Sequence, residues 1–437
     1  MACLALLTSL WANGRPDAPS PPSGPSDAEL IKRLGHRDFQ QREKASRALQ
    51  ARGPRVLPAL RAALGLPDPE VVRRLNLLIP ALERYQALEP KTVTFSLKHK
   101  PIRTVFDELS RQTGYRFQLG LPAERETLLY SFQFDQTPFW EAFDRMCEAA
   151  ELSFQGMHGF DTFYLHHQET HSPYVCRSGA FRLVGHSIHH QRTIEFSQIP
   201  KGQSPARGDY LQFSFCIASE PKLALLANGN PMVELAIDDH QESMILSPEP
   251  DHGGVQVSRY GHGHRMLMVQ TQVPLFCPSR HSTRVKLLKG KVPVVVLVDQ
   301  KPVLTAEPIL TAKGRKWEKD QVVLDIEDVT KPEMNGTHYQ IKLSIRDASR
   351  AVNQPEDYGW LNSLSQRLEL HDARGRRYPL EHQTWDHATP SSARGSLTFG
   401  LTGAIASSIG PPARLVYYDW ITLEHQVPFE FRDLPLP

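Results

Sequence analysis

Histidine is the residue type whose number and spacing in this chain best suit metal chemistry, since 19 are present. Eight of them fall into three clusters: His166, His167 and His171; His186, His189 and His190; His262 and His264. Residues two or four apart on a β-strand point to the same side, so His262 and His264 could reach one metal ion. The same holds for His186 and His190. A metal site needs three or four convergent, supported ligands, which the linear pattern does not supply, so we expect surface or hydrogen-bonded histidines, no metal and no cofactor.

Other catalytic templates are absent from the sequence. It contains no HExxH, no GxSxG turn, no GxxxxGK phosphate loop and no GxGxxG after a predicted strand. Asp238 and Asp239 are adjacent on a predicted strand, so their carboxylates would point apart, and we expect them to serve a turn or the surface. The sequence therefore predicts no catalytic or cofactor-binding residue and a protein that is not an enzyme.

The five cysteines are Cys3, Cys147, Cys176, Cys216 and Cys277, and no two of them form a CxxC pair. Cys147 lies towards the apolar side of a predicted helix, where we expect a small buried hydrophobic residue. A disulfide among Cys176, Cys216 and Cys277 stays open, because spacing does not determine connectivity.

The elements that organise the chain begin with an internal repeat. Residues 95–118 and 132–155 share one pattern at an offset of 37 residues. Each copy reads as a strand, a helix led by Pro101 or Pro138, and a second strand. The helix faces predicted to be apolar are Ile102, Val105, Phe106 and Leu109 in the first copy and Phe139, Ala142, Phe143 and Met146 in the second. We expect the two βαβ units to pack both helices on one side of a single small sheet.

Local signals set the ends of these two helices. Gly114 suits the left-handed position that follows the first helix. Thr137 is a good N-cap for the second helix, just before Pro138.

This layout resembles the secretin and TonB short N-terminal (STN) domain. The resemblance is carried by the proline-led helices, by Asp107 and Asp144 at matching positions, and by the short spacer 121–124 between the copies. It implies an exported docking module that contacts other proteins and has no catalytic residues. Neither a secretin pore segment nor an outer-membrane barrel pattern follows in this chain, so channel or receptor activity is not carried over.

Residues 26–90 read as helices. Ser26 and Asp38 can cap the first two, Pro54 opens a third through Leu64, and Asp68 precedes a fourth. The two hairpins resemble HEAT-type repeats, through Arg42, Ala45, Leu49, Gly53, Leu57, Pro58 and Leu60 and then Asp68, Pro69, Glu70, Val71 and Arg74. This block has twelve basic and eight acidic residues but few aromatics, so we expect a solvated helical face and no nucleic-acid binding.

The remaining half of the chain is rich in strands and resembles no family that we recognise. Alternating or continuous apolar runs predict strands at 211–217, 292–298, 339–345, 368–370 and 427–431. Asp372 to Gly375 reads as a hairpin turn. Regular strand spacing favours antiparallel β-sandwiches. We expect one such domain at 169–315 and a second at 316–437; the alternative is that the whole strand-rich half forms a single domain.

The start of the chain is a short apolar run followed by a linker rich in proline and serine. Residues 1–12 resemble the apolar core of a secretory signal without its basic start, which a misplaced start codon would explain. The predicted order is therefore a signal-like segment and linker at 1–25, HEAT-like helices at 26–90, an STN-like domain at 91–168, and the two β-sandwich domains. The fold class is multi-domain α+β.

The net charge and the apolar runs of the chain limit the classes of function that we expect. The formal net charge is only +2, so nothing draws the whole chain to nucleic acid or anionic lipid. Beyond the signal-like segment no run reaches membrane-spanning length. The leading hypothesis is a non-enzymatic scaffold protein of the bacterial cell envelope, periplasmic or extracellular, that binds an envelope protein; its oligomeric state is open. One alternative is a carbohydrate-binding β-sandwich protein that uses Trp360, Trp385 or Trp420, and a weaker one is a metal-dependent hydrolase built on the histidine clusters.

Overall fold

The protein divides into two compact units, Met1–Gln86 and Ala87–Pro437. The computed structural model describes residues 24–155, 162–168, 171–195, 206–245, 265–276, 281–332, 337–350, 359–401 and 409–437. The predicted mixture of helices and antiparallel sheets is confirmed. None of the helices in these ranges combines the length and the apolar character that crossing a bilayer requires.

The first unit is helical. Its helices are α1 (Asp27–Arg33), α2 (Phe39–Ala51), α3 (Leu57–Ala62) and α4 (Pro69–Leu88), with 3₁₀ turns at Gly53–Val56 and Ala63–Gly65. The predicted caps are confirmed, since Ser26 accepts a hydrogen bond from the Glu29 N–H and Asp38 accepts one from the Gln40 N–H. The third helix does not run unbroken from residue 54 to residue 64. Pro58 has no N–H to donate to the carbonyl four residues earlier, and the segment therefore splits into a 3₁₀ turn and the short α3.

The second unit begins with the internal repeat. Its elements are β1 (Thr92–Pro101), α5 (Ile102–Thr113), β2 (Arg116–Gly120), α6 (Ala123–Glu126), β3 (Leu129–Pro138), α7 (Phe139–Ala150), β4 (Leu152–Gln155) and β5 (Thr162–His167). Both repeat helices share one core, in which Phe106 and Phe143 are each 1% exposed and their ring centroids lie 6.3 Å apart.

The expectation of a single sheet under the repeat is wrong. β1 pairs with β3 in an antiparallel two-stranded sheet, whereas β2, β5 and β4 form a separate three-stranded sheet. The added strand β5 lies between the second strands of the two copies, parallel to β2 and antiparallel to β4. The two copies therefore lie side by side, but a strand from outside the repeat occupies the place where β2 and β4 would pair.

The helix ends of the repeat differ in one respect from expectation. Gly114 has a φ of 73°, the left-handed conformation that was predicted. Thr137 is not the N-cap of α7; its hydroxyl bonds the backbone of Asp135, and Pro138 holds the cap position in an extended conformation. The first N–H of α7 is satisfied by the carbonyl of Lys91, at 2.7 Å, so a side-chain cap is not needed there.

Strands dominate the rest of the second unit. They are β6 (Val175–Ser178), β7 (Phe181–Glu195), β8 (Ala206–Ser219), β9 (Ala224–Asn228), β10 (Met232–Asp238), β11 (Met268–Phe276), β12 (Arg284–Ala306), β13 (Arg315–Lys319), β14 (Val322–Thr330), β15 (Thr337–Asp347), β16 (Leu368–Asp372), β17 (Leu380–Thr389), β18 (Ser392–Leu401) and β19 (Pro412–Pro435). One helix, α8 (Gly359–Arg367), and 3₁₀ turns at Ile309–Thr311 and Ala348–Arg350 interrupt them.

Two sheets enclose the first strand-rich core. One has the strand order β11-β8-β7-β6, and the other has the order β10-β12-β19-β16, with β9 also pairing with β12. Phe213 and Phe215 of one sheet pack against Phe429 and Phe431 of the other, with centroids of Phe213 and Phe431 5.0 Å apart. This is the face-to-face packing of a sandwich.

A further sheet, β13-β14-β15-β18-β17, encloses the second core together with α8. The long strands β12 and β19 pair along almost their whole length and contribute side chains to both cores. The hairpin turn predicted at Asp372 is confirmed, since the Gly375 N–H bonds the Asp372 carbonyl at 3.0 Å. The strand predicted at residues 368–370 is confirmed as β16, but its two faces do not alternate between core and solvent: all five residues are buried, and ion pairs hold its charged side chains.

Candidate functional site

Helix α4 carries apolar side chains on two opposite sides. Its inner side, which includes Leu75 and Leu78, is buried in the core of the first unit. Its outer side has Leu77 at 64% exposure and Tyr85 at 59%, with Pro80 and Ala81 also exposed. We name this outer set, Leu77, Pro80, Ala81 and Tyr85, the α4 stripe. Steps of four residues place Leu77, Ala81 and Tyr85 on one line along the helix.

The proline within the stripe changes the backbone of α4 as well as its surface. Pro80 lies inside the helix and has no N–H. Pro80 therefore cannot donate the usual helical hydrogen bond to the carbonyl of Asn76.

Several basic side chains of the helical block form ion pairs with neighbouring carboxylates. Arg74 is buried and bonds Glu43 at 2.9 Å and Glu70 at 2.7 Å. Hydrogen bonds from Arg73 and Arg74 lower the pKa of Glu70 to about 2. These ion pairs join α4 to α2.

A buried carboxylate fastens the repeat to the first sandwich. Glu220 follows β8, is fully buried, and accepts a 2.7 Å hydrogen bond from the Tyr115 hydroxyl and 3.2 Å bonds from the Lys91 N–H. The Lys91 ammonium lies 4.5 Å from the centroid of the Tyr115 ring. Burial raises the pKa of Glu220 to about 6, against the lowering effect of the hydrogen bond from Tyr115.

Helix α7 makes a second ionic contact with the same sandwich. Asp144 receives 2.6 Å bonds from both Arg177 and Arg182, and the Trp140 indole N–H donates to the Ala180 carbonyl at 3.0 Å. Asp107, at the matching position of the first repeat copy, is exposed. Sequence reasoning noted both aspartates but missed the role of Asp144, and its only local signal was a carboxylate beside an apolar helix face.

Two of the tryptophans considered for stacking on carbohydrate belong to the core. Trp420 is 7% exposed and lies between two guanidinium groups, with its centroid 4.9 Å from Arg265 and 4.5 Å from Arg367. Trp360 is 4% exposed and donates to the Tyr417 hydroxyl at 2.8 Å. Trp385 is half-buried against the second core. These three side chains do not form an exposed stacking face.

The charges around Trp420 are compensated inside the protein. Glu369 of β16 lies 3.4 Å from Arg265 and 3.2 Å from Arg377. Burial lowers the pKa of Arg265 to about 10, since the charged form loses its hydration. Burial would raise the pKa of Glu369, but the nearby His371 and the arginines hold it below its usual range. These ion pairs hold the buried Glu369 of β16 against Arg265 and Arg377.

The histidine clusters take ordinary positions where they are described. His186 is exposed at a shift in the β7 register, whereas His190 is half-buried opposite the core residue Leu211. The His167 ring lies 3.1 Å from the Glu151 carbonyl. Among the described residues there is no group of three or more histidine, cysteine or acidic side chains arranged to hold a metal ion. His262 and His264 lie outside the described residues.

The cysteines and the aspartate considered in the sequence analysis serve packing or turn formation where they are described. Cys147 is buried as predicted, and burial raises the pKa of its thiol. Cys176 and Cys216 are free thiols, so no disulfide joins them, and Cys277 lies outside the described ranges. Asp238 is fully buried and accepts hydrogen bonds from the His240 and Glu242 N–H groups in the turn after β10.

Comparisons with known proteins identify no family. No protein-family model matches the chain, and no curated protein is detectably similar to it. Among solved structures, the crystal structure of a conserved domain protein from Bacillus anthracis is 10% identical, and the match covers 59% of this chain and 90% of that one with a TM-score of 0.16. A likeness at that score carries no argument about fold or function. The STN and HEAT resemblances therefore stay hypotheses from the sequence.

Proposed function

We propose that this protein is a non-enzymatic scaffold of the bacterial cell envelope that binds another envelope protein through the α4 stripe. The observation that carries the proposal is the doubly apolar character of α4. A helix needs one apolar side to pack into its own unit. A second one, 64% exposed at Leu77 and 59% at Tyr85, costs solubility unless it serves an interface.

The partner we propose is an amphipathic helix with acidic residues beside its apolar face. Helix–helix packing suits a straight stripe of side chains four residues apart. Residues 26–90 have twelve basic and eight acidic side chains, so this block carries a net basic excess. Charge complementarity of this kind selects partners and speeds their association.

The proposed location outside the cytoplasm rests on the sequence alone. The signal-like residues 1–12 and the STN resemblance support it. Fractionation of cells that express the chain from its native locus tests it, because an exported protein is released with the periplasm or the medium.

The binding experiment uses a photo-crosslinking residue in place of Leu77 in the full chain, in its native host. We expect one dominant crosslinked envelope protein, and mass spectrometry of the crosslinked peptide should locate it in an acidic amphipathic helix. Leu77→Glu should abolish co-purification of that protein. The matched control is Leu129→Glu, because Leu129 is a leucine of similar exposure, 58%, on β3 of the second unit.

The outcomes separate clearly. Loss of the partner with Leu77→Glu and retention with Leu129→Glu, at equal thermal stability, would support the proposal. Retention of the partner with Leu77→Glu, or the absence of any specific crosslink, would rule out the α4 stripe as the binding surface.

A further inference from the structure

The outer face of the first sandwich presents aromatic and amide side chains in register. Two neighbouring rows cross the sheet: Phe276, Tyr210 and Gln191 in one, and Pro274, Gln212 and His189 in the next. Directly opposite residues of antiparallel strands point to the same side of the sheet. All six are exposed, whereas the alternating residues of β8 and β11, such as Leu211 and Leu275, are buried in the core. We name these six residues the open face.

The two aromatic residues of the open face are neighbours across the sheet. Phe276 and Tyr210 are directly opposite on adjacent strands and are 42% and 47% exposed. Directly opposite residues have their Cβ atoms about 5 Å apart and point to the same side, so both side chains rise from one patch of the sheet surface, which we call the aromatic platform. No core packing explains these two side chains, since neither belongs to the cluster beneath them.

Polar groups that both donate and accept hydrogen bonds surround this platform. The Gln212 amide donates to the Gln272 side-chain oxygen on the next strand, and the Ser187 hydroxyl lies 3.1 Å from a His189 ring nitrogen. Side-chain amides and hydroxyls carry donors and acceptors together, as sugar hydroxyls do. None of the six open-face side chains carries a permanent charge.

The other half of the same sheet face is already covered. Ala218 and Met268 pack into the core of the repeat, and the Trp140 indole bonds the Ala180 carbonyl there. The covered half uses apolar residues and ion pairs, which are the usual means of joining two protein modules. The open face has a different chemistry, with amides where the covered half has aliphatic side chains.

We propose that the open face binds a neutral carbohydrate chain. The apolar side of a sugar ring would stack on Tyr210 and Phe276, and its hydroxyls would bond the amides of Gln191 and Gln212. The lack of charge favours a neutral glycan over an acidic one. This surface lies in the second unit and is independent of the α4 stripe.

The test is calorimetric titration of the full chain with neutral oligosaccharides of β-1,4-glucan, β-1,3-glucan, xylan and mannan, with oligogalacturonate as an acidic contrast. We expect at least one neutral oligomer to bind and the acidic one not to bind. Tyr210→Ala and Phe276→Ala should each weaken binding at least about tenfold. Gln212→Ala, an exposed polar truncation, should weaken it less. Tyr164→Ala is the control, because Tyr164 is 36% exposed on β5, away from this face.

Each result decides the question. Binding that the two ring variants weaken and the Tyr164 variant retains would establish the site, given unchanged circular dichroism. Absence of binding by every neutral oligomer, or equal binding by all variants, would overturn the proposal. Self-association of the wild type that Tyr210→Ala abolishes in sedimentation would assign the face to a second copy of the chain and also overturn it.

Discussion

The hydroxyl of Tyr115 donates a 2.7 Å hydrogen bond to the carboxylate of Glu220, which lies 105 residues further along the chain. The bond joins the beginning of β2 in the repeat to the turn that leaves β8 in the first sandwich. Glu220 is buried, and the Lys91 N–H and the Tyr115 hydroxyl donate hydrogen bonds to its carboxylate oxygens. We therefore expect the junction between the two modules to respond to pH.

We predict that Glu220 makes the protein more stable as the pH falls from about 7 towards 4.5. Its pKa is raised from 4.5 to about 6, so the folded state binds the proton more tightly than the unfolded state. The stabilisation is complete below the unfolded pKa and is lost as the pH rises through 6. It amounts to about 2 kcal/mol, since each pKa unit corresponds to about 1.4 kcal/mol.

Urea unfolding of the wild type and of Glu220→Gln at several pH values measures this effect. Subtracting the unfolding free energy of the variant from that of the wild type at each pH removes the contribution of all other titrating groups. A difference that does not change between pH 7 and pH 4.5 would contradict the raised pKa.

We predict that Asp144→Asn destabilises the protein by about 2–4 kcal/mol, because it leaves Arg177 and Arg182 near the module junction without their shared carboxylate. Asp107→Asn at the matching position of the first copy is the control, and it should change stability by less than about 0.5 kcal/mol because Asp107 is exposed. Chemical denaturation of both variants gives the values. Equal effects would mean that the two aspartates have equivalent surroundings.

We predict that Phe106→Ala and Phe143→Ala each cost about 3–5 kcal/mol of folding stability. Both rings are 1% exposed in the shared core, so truncation leaves a cavity. Thermal or urea unfolding measures the loss. A cost below about 1 kcal/mol for both would show that the two helices do not share a core.

We predict that Trp420→Ala costs more stability than Trp385→Ala, by at least about 2 kcal/mol. Trp420 is 7% exposed and stacks between Arg265 and Arg367, whereas Trp385 is half-buried. Removing the indole leaves a cavity and two buried guanidinium groups without their ring. Denaturation curves compare the two, and a smaller loss for Trp420 would contradict the stacked arrangement.

Much of the secondary structure could be predicted from the sequence because its signals are local. Ser26 and Asp38 cap their helices, Gly114 takes the left-handed conformation, and the turn at Asp372 forms where expected. Each depends on hydrogen bonds or torsion angles within a few residues. The same locality explains the correct apolar faces of α5 and α7.

The open face could not be predicted from the sequence, because the pairing of its strands is not visible there. Tyr210 and Phe276 are 66 positions apart in the sequence. They become neighbours only because β8 pairs with β11 in a particular register. The sequence pointed instead to three tryptophans as the carbohydrate-binding residues, and the fold places them largely in the core.

The sequence by itself determined the caps of α1 and α2, the apolar faces of α5 and α7, the duplicated βαβ pattern and the lack of a recognisable catalytic motif. Only the tertiary structure decided that β5 separates β2 from β4, that Asp144 is buried while Asp107 is exposed, and that Glu220 meets Tyr115. The physical reason is the distance along the chain over which each interaction acts. Torsional preferences and capping act within one turn, whereas strand pairing and the burial of charge depend on segments that are distant in the chain.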